Sequence, residues 1–289
     1  MTTREATTMT TAPARLRRLL SEPGMVRAPG VYDGIGAHLV RRAGFQVAYL
    51  TGAGAVAAGY GLPDIGLATA TEMADRAEVV VEASGLPVVA DADTGYGNPM
   101  HVVRTVRAYE RAGVAAIQLE DQDFPKRCGH LTDKSVISAD DFVRKLAAAL
   151  DARENDTVII ARTDARGPAG LEEALTRAHR YAAEGADMIF VEAPQSVAEI
   201  ERIAAEVQAP LVFNVVPAGR TPAVPDADLE KLGFRMAIYP GALLQPVTAA
   251  MAAALVDLGG EDPYLGDGPL GIFRAVGFDD WAALGERYR

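Results

Sequence analysis

The chain has 289 residues, 49% of them hydrophobic, with 28 basic against 39 acidic residues and a formal net charge of −11. A core of that size supports one large domain, and the surplus of acids excludes nucleic acid and anionic membrane surfaces, which call for clustered cations. Small molecules remain as partners, and the single cysteine cannot close an intrachain disulfide, so no oxidising compartment is implied.

Residues 1–14 read as a disordered tail without the apolar segment of a signal peptide, and no apolar run reaches membrane-spanning length, so the expectation is a soluble cytoplasmic protein. Residues 15–289 read as a single domain. In chain order its strand-like runs are MVRAPGVYD, QVAYLTG, LPVVADAD, VAAIQLED, DTVIIARTD, ADMIFVEAP, APLVFNVV and FRMAIYP. Between them lie helical patterns such as MHVVRTVRAYERAG, ADDFVRKLAAALDARE and LEEALTRAHRYAAEG. Eight near-continuous apolar strands alternating with helices predict an α/β fold, a closed (β/α)8 TIM-type barrel. A doubly wound open sheet is the rival, opposed by the unbroken rhythm.

Function in such a barrel gathers at the C-terminal ends of the strands. Those ends carry Tyr32 and Asp33, Thr51 to Gly54, Asp91 and Asp93, Glu120 and Asp121, Arg162 and Asp164, Glu192, and Asn214. Strand alternation would turn Asp91 and Asp93 to one face, where two like charges need a cation between them. Mg²⁺ fits, with Mn²⁺ as a substitute, and Glu120 on the next strand could hold a metal-bound water. The bland alternative is a strand-end pair meeting solvent or capping a helix. Gly52, Gly54 and Ala57 match a dinucleotide-binding G-x-G-x-x-A, but Gly59, Gly61 and Pro63 interrupt the helix that motif needs. The small residues instead admit backbone N–H groups to a substrate carboxylate.

Cys128 stands among Lys126, Arg127, Gly129 and His130. Cationic neighbours in a loop-forming segment favour a thiolate, against the alternative of an inert buried cysteine.

The segments VADADTGYGN, LEDQ, KRCGHL, IARTDA and IYPGALL resemble the motifs of the isocitrate lyase/phosphoenolpyruvate mutase superfamily. The similarity is to its short branch of 2-methylisocitrate lyases, 2,3-dimethylmalate lyases and carboxyvinyl-carboxyphosphonate phosphorylmutases. The resemblance implies a Mg²⁺-dependent carbon–carbon lyase that cleaves a 2-hydroxy di- or tricarboxylate to a 2-oxo acid and a second carboxylate. By the same resemblance Asp91 and Asp93 are on the metal side, with Glu120 reaching it through water. Thr51, Gly52 and Ala53 grip the keto-acid end, and Asp64 is an acid near the entrance. Cys128 is the catalytic acid on a closing loop, accompanied by Gly129 and His130, while Arg162, Glu192 and Asn214 touch substrate. The family also implies a last barrel helix exchanged between subunits in a homo-oligomer, a dimer or tetramer.

Two departures bear on specificity. Gln245, followed by Pro246, stands after IYPGALL where many relatives have an arginine, and Pro217 and Ala218 replace an acid and a glycine or aromatic residue, with Arg220 as a compensating cation. A phosphonate-forming mutase, or an oxaloacetate or phosphonopyruvate hydrolase or decarboxylase, would use nearly the same rim, and a degenerate binding protein is the non-enzymatic alternative. A Schiff-base aldolase is set aside, since Lys126, Lys134, Lys145 and Lys231 all lie outside the strand runs.

Overall fold

In the computed structural model, which describes residues 11–131 and 134–288, eight strands close into a barrel in chain order. They are β1 (Val26–Val31), β2 (Ala48–Leu50), β3 (Val88–Asp91), β4 (Ala116–Glu120), β5 (Val158–Thr163), β6 (Met188–Val191), β7 (Leu211–Asn214) and β8 (Met236–Tyr239). Every pairing is parallel, including β8 with β1. Each strand lies inside one of the eight runs read from the sequence.

Helices alternate with the strands. α1 (Ala12–Ser21) precedes β1, and α2 (Gly34–Arg42) follows it. After β2 come α3 (Gly52–Tyr60) and α4 (Ala70–Ser84), after β3 α5 (Pro99–Arg111), and after β4 α6 (Ala139–Ala152). β5 leads into α7 (Arg166–Ala169) and α8 (Leu171–Ala183), β6 into α9 (Val197–Glu206), and β7 into α10 (Asp226–Leu232). Beyond β8 are α11 (Leu244–Asp257), α12 (Gly268–Ala275) and α13 (Phe278–Arg287).

Local sequence explains these elements. Strands such as β3 are buried along their whole length, as parallel strands covered on one face and packed inside a barrel on the other must be. In α4, Thr69 and Glu72 form a reciprocal capping box, Met73, Ala77, Val80 and Ser84 make the buried stripe, and Gly85 at φ 60 ends the helix.

The barrel interior is filled by Ala28, Tyr49, Val89, Ala116, Ile160, Phe190, Val212 and Ile238. Leu16 of α1, fully buried, packs into the same cluster with Leu19 and Leu20 and stoppers the N-terminal end. Among the described residues the cavity lies at the opposite, C-terminal rim. Of the tail expected over residues 1–14, the first ten lie outside the described residues, and Thr11 already caps α1.

The stretch after β8 departs from an ordinary barrel helix. α11 buries only Ala252, leaving Met251 63% and Leu255 50% exposed. A groove of about 410 Å³, lined by Pro29, Leu39, Val40, Phe45, Tyr239 and Leu243, lies open beside α2. α11 is also not the last helix, because α12 and α13 follow it and α12 returns to cover the rim. Among the described residues no helix is long and apolar enough to cross a membrane.

Candidate active site

Arg162, projecting from β5, sits at the centre of the rim. Its guanidinium grips Asp164 through Nε to Oδ2 at 2.8 Å and Nη2 to Oδ1 at 3.1 Å. Glu120 Oε2 stands 3.3 Å from the same Nε, and the group lies 5.1 Å over the Phe190 ring. Glu192, at the end of β6, accepts a hydrogen bond from Asn214 Nδ2 at 3.2 Å, and His130 Nε2 stands 3.1 Å from its other oxygen. The backbone N–H of Arg220 donates to His130 Nδ1 at 3.1 Å, so the ring proton belongs on Nε2, facing Glu192. Burial alone would raise the Glu192 pKa, but Arg162 and then His130 outweigh it and hold the carboxylate well below its usual range.

The acids of β3 are arranged differently from expectation. Asp91 ends the strand, whereas Asp93 lies past it in the left-handed region at φ 46. Strand alternation therefore does not place the two carboxylates; a turn does, with Asp93 N donating to Asp91 Oδ1 at 3.1 Å. Gln118 Nε2 donates to the same oxygen at 3.2 Å. Lys126 Nζ pairs with Asp64 and lies 2.8 Å from Asp93 Oδ1. Burial, together with repulsion from Asp91 and Asp64, pushes the Asp93 carboxyl up to about 7 despite Lys126. Burial would lower Lys126, but Asp64 and Asp93 dominate and keep it a firmly charged ammonium. Such an amine is no Schiff-base nucleophile.

Glu120 is buried, and desolvation raises its pKa against the pull of Arg162. Its Oε1 is buried without a hydrogen bond. Among the described residues no three His, Cys, Asp or Glu side chains make a metal-binding group. Mg²⁺ needs only one or two carboxylates, with water and substrate oxygens completing its octahedron. The Asp91 carboxylate on the cavity wall and the unbonded Glu120 oxygen behind it suit an ion held in that way.

Beside Asp91, the N-terminus of α3 opens on the cavity through Thr51, Ala53 and Gly54. Thr51 caps the helix, and a Cβ at Gly52 would meet Asp91 Oδ2 at 2.6 Å, so a larger residue there would displace that carboxylate. α3 ends after nine residues at Gly61, φ 62, too short for a dinucleotide fold but sufficient to aim N–H groups at an anion.

The Cys128 loop closes the other side. A bridge between Gln122 and Val136 pinches its base, and Gln122 brackets Arg127 with hydrogen bonds of 2.7 and 3.0 Å. Cys128 N donates to Asp64 O at 3.1 Å. The thiol is buried with Ala57, Ile272 and Phe273. Burial first, then Asp64, pushes it up to about 12. Lys126 pulls the other way, as its nearness in sequence suggests, but Asp64 and Asp93 already claim its charge. Gly129 lies so close to the floor that any Cβ there would overlap Glu192 and Arg162. Lys134 Nζ reaches both Gly129 O and Asp164 Oδ1 at 2.7 Å, and residues 132 and 133 lie outside the described residues.

Thr51, Ala53, Asp64, Asp91, Cys128, Gly129, His130, Arg162, Glu192 and Asn214 thus line one cavity. Gly52, Asp93 and Glu120 stand just behind that wall. Tyr49, Val216, Leu244, Ile272 and Phe273 also line the cavity and were not singled out by sequence. Tyr49 had a signal, two residues before Thr51 on the same strand face; Ile272 and Phe273 had none, because α12 reaches the rim from beyond the eighth unit. Gln245 faces the cavity, but Arg220 offers it no cation: its side chain is exposed and only its backbone meets His130.

The chain and its fold are similar to those of known proteins. A 2,3-dimethylmalate lyase of Eubacterium barkeri is 48% identical over 254 residues, covering 88% of each chain. A probable 2-methylisocitrate lyase of Corynebacterium glutamicum is 46% identical over 244 residues, 84% of this chain and 79% of that one. The solved structure of an oxaloacetate acetylhydrolase in complex with 3,3-difluorooxalacetate superposes with a TM-score of 0.84 at 36% identity, covering 96% of this chain and 97% of that one. With the phosphoenolpyruvate phosphomutase family model matching residues 16–258, almost the whole barrel, the chain belongs to that family of enzymes.

Proposed function

We propose that the protein is a Mg²⁺-dependent carbon–carbon lyase acting on a 2-hydroxy dicarboxylate with alkyl substituents, and that Cys128 is its general acid. The observation that carries this reading is the placement of Cys128, buried on a loop that lines one cavity with Arg162, Glu192 and Asn214. Asp91, with Glu120 through a water, would hold Mg²⁺, which would supply positive charge to the 2-oxygen and carboxylate of the substrate.

The chain's own groups account for the rest. Backbone N–H groups after Thr51 receive the keto-acid carboxylate. A base takes the 2-hydroxyl proton, the C2–C3 bond breaks, and its electron pair delocalises into the second carboxylate as an enolate-like dianion beside Arg162. C2 becomes the carbonyl carbon of the departing 2-oxo acid, and Cys128 gives its proton to C3. The resulting thiolate regains a proton from the base through solvent. A thiol held near 12 is a weak acid in water, yet it is far more acidic than the carbon it protonates.

The outer wall bears on the substrate. Val216, Leu244, Ile272 and Phe273 line it with Gln245, and the cavity's cations, Lys126 and Arg162, are already paired with acids. A third carboxylate turned to that wall would be desolvated without a partner, which costs several kcal/mol. Methyl groups would gain about 0.8 kcal/mol each. The E. barkeri relative is named for a dicarboxylate of this kind.

The exposed apolar face of α11 and the open groove beside α2 support exchange of α11 between subunits of a dimer or tetramer, and a cytoplasmic location accords with the absence of any membrane-spanning helix among the described residues. A screen of 2-hydroxy di- and tricarboxylates, oxaloacetate and phosphonopyruvate with Mg²⁺, followed by proton and phosphorus NMR, tests the reading. Release of a 2-oxo acid from an alkyl-substituted hydroxy dicarboxylate is expected. Oxalate formed from oxaloacetate alone would make the enzyme a hydrolase, and a new P–C bond would make it a mutase.

A further inference from the structure

Lys134 has no part in the chemistry above, yet its side chain is only 3% exposed and its ammonium makes two bonds of different kinds. One goes to the Gly129 carbonyl at 2.7 Å, in the residue next to Cys128. The other goes to Asp164 Oδ1, also at 2.7 Å, and Asp164 is the carboxylate that grips Arg162 twice. One cation therefore joins the loop bearing the thiol to the guanidinium on the floor. We infer that Lys134 is a positioning residue that fixes the Cys128 loop against Arg162, an assignment of function that rests on the lyase reading of this site.

The two sides of the loop are held by separate means. Toward β2 and α4, Cys128 N meets Asp64 O, and Lys126 pairs with Asp64 and Asp93. Toward β5 the tie is Lys134. Gly129 approaches Glu192 and Arg162 too closely for any Cβ, and it is the carbonyl of this same residue that Lys134 bonds. Lysine suits the task, since its three donors on one compact charge can serve a carbonyl and a carboxylate together. Its charge also offsets part of the acid cluster of Asp164, Glu120 and Glu192 that converges on Arg162.

The chain's single cysteine makes the test direct, because alkylation by iodoacetamide reports exposure of the loop without any substrate. In Lys134→Met the alkylation rate at fixed pH should rise roughly ten- to a hundredfold, the weight of one charge-assisted hydrogen bond in a local opening equilibrium. Lys134→Arg should restore much of the protection, and Lys231→Met, at an exposed site, should change nothing. Leu146→Ala, which empties part of the core in α6, should lower the melting temperature without exposing the thiol. In turnover, Lys134→Met should lower kcat more than it raises KM. If Lys134→Met does not fold, Lys134→Gln carries the same measurement. Alkylation at the native rate in a folded variant overturns the inference, as does an equal rise in Leu146→Ala. The alkylation result stands apart from activity: a native protein that cleaves no 2-hydroxy acid defeats the lyase reading, whatever Lys134 does to the thiol.

Discussion

The Lys126 ammonium and the Asp93 carboxylate lie 2.8 Å apart, both buried, at the end of the third strand. A protein cation thus already neutralises one of the two acids expected to hold a metal, and Asp91, on the cavity wall, is the freer ligand. Asp91→Asn should lower Mg²⁺ affinity roughly tenfold or more, since Mg²⁺ relies on very few protein carboxylates. Lys126→Met should not weaken Mg²⁺ binding, because it removes a competing charge. Calorimetric titration with MgCl₂ checks both, and EDTA should abolish turnover until Mg²⁺ is restored.

Cys128 provides a pH signature. With its pKa pushed up to about 12, against about 8.5 in an unfolded chain, the thiol should stay protonated through pH 9. Iodoacetamide should therefore react slowly at pH 8 in the native protein and quickly once it is unfolded. The sign for stability follows: the unfolded chain releases this proton at lower pH than the native one, so native stability falls as pH rises between those two values. Cys128→Ala should remove that share of the alkaline loss, measurable by urea unfolding from pH 8 to 11.

The apolar outer wall sets a specificity. An alkyl-substituted hydroxy dicarboxylate should be favoured in kcat/KM over its tricarboxylate counterpart by about two orders of magnitude, the equivalent of one unpaired buried charge at several kcal/mol. Gln245→Arg should narrow that ratio by admitting the third carboxylate. Steady-state kinetics on the two substrates decides it.

Assembly follows from α11. If α11 is exchanged between subunits, its exposed Met251 and Leu255 meet a partner surface, and light scattering should give a dimer or tetramer. Leu255→Glu should shift the population toward monomer. A native monomer at micromolar concentration would remove the exchanged helix from the account.

Much of this was legible in the sequence because the signals are local. All eight strands announce themselves by β-rich runs such as VVAD and IQLE between helical patterns, and strand ends place Thr51, Arg162, Glu192 and Asn214 on one rim without further information. What escaped depends on the chain folding back on itself. The turn at φ 46 that aims Asp93 has no signature in DAD, and the charge of Lys126 is spent on Asp64, sixty-two positions away. Cys128 reads as an activated loop cysteine because its neighbours in sequence are cations, whereas its neighbours in space include Ile272 and Phe273. Lys134 and Asp164 were both visible as residues, but only the docked loop shows them bonded.

The most direct test of the central claim is turnover by Cys128→Ser on an alkyl-substituted hydroxy dicarboxylate, followed by proton NMR in deuterated buffer with Mg²⁺. The native enzyme should release a 2-oxo acid and a second carboxylate carrying one deuterium at its new C–H position. The serine variant should bind with little change in KM and lose about 10²–10⁴-fold in kcat, the range a general acid contributes. Near-native turnover by the serine variant would contradict the account, since a hydroxyl cannot replace the thiol as the acid that protonates the departing carbon.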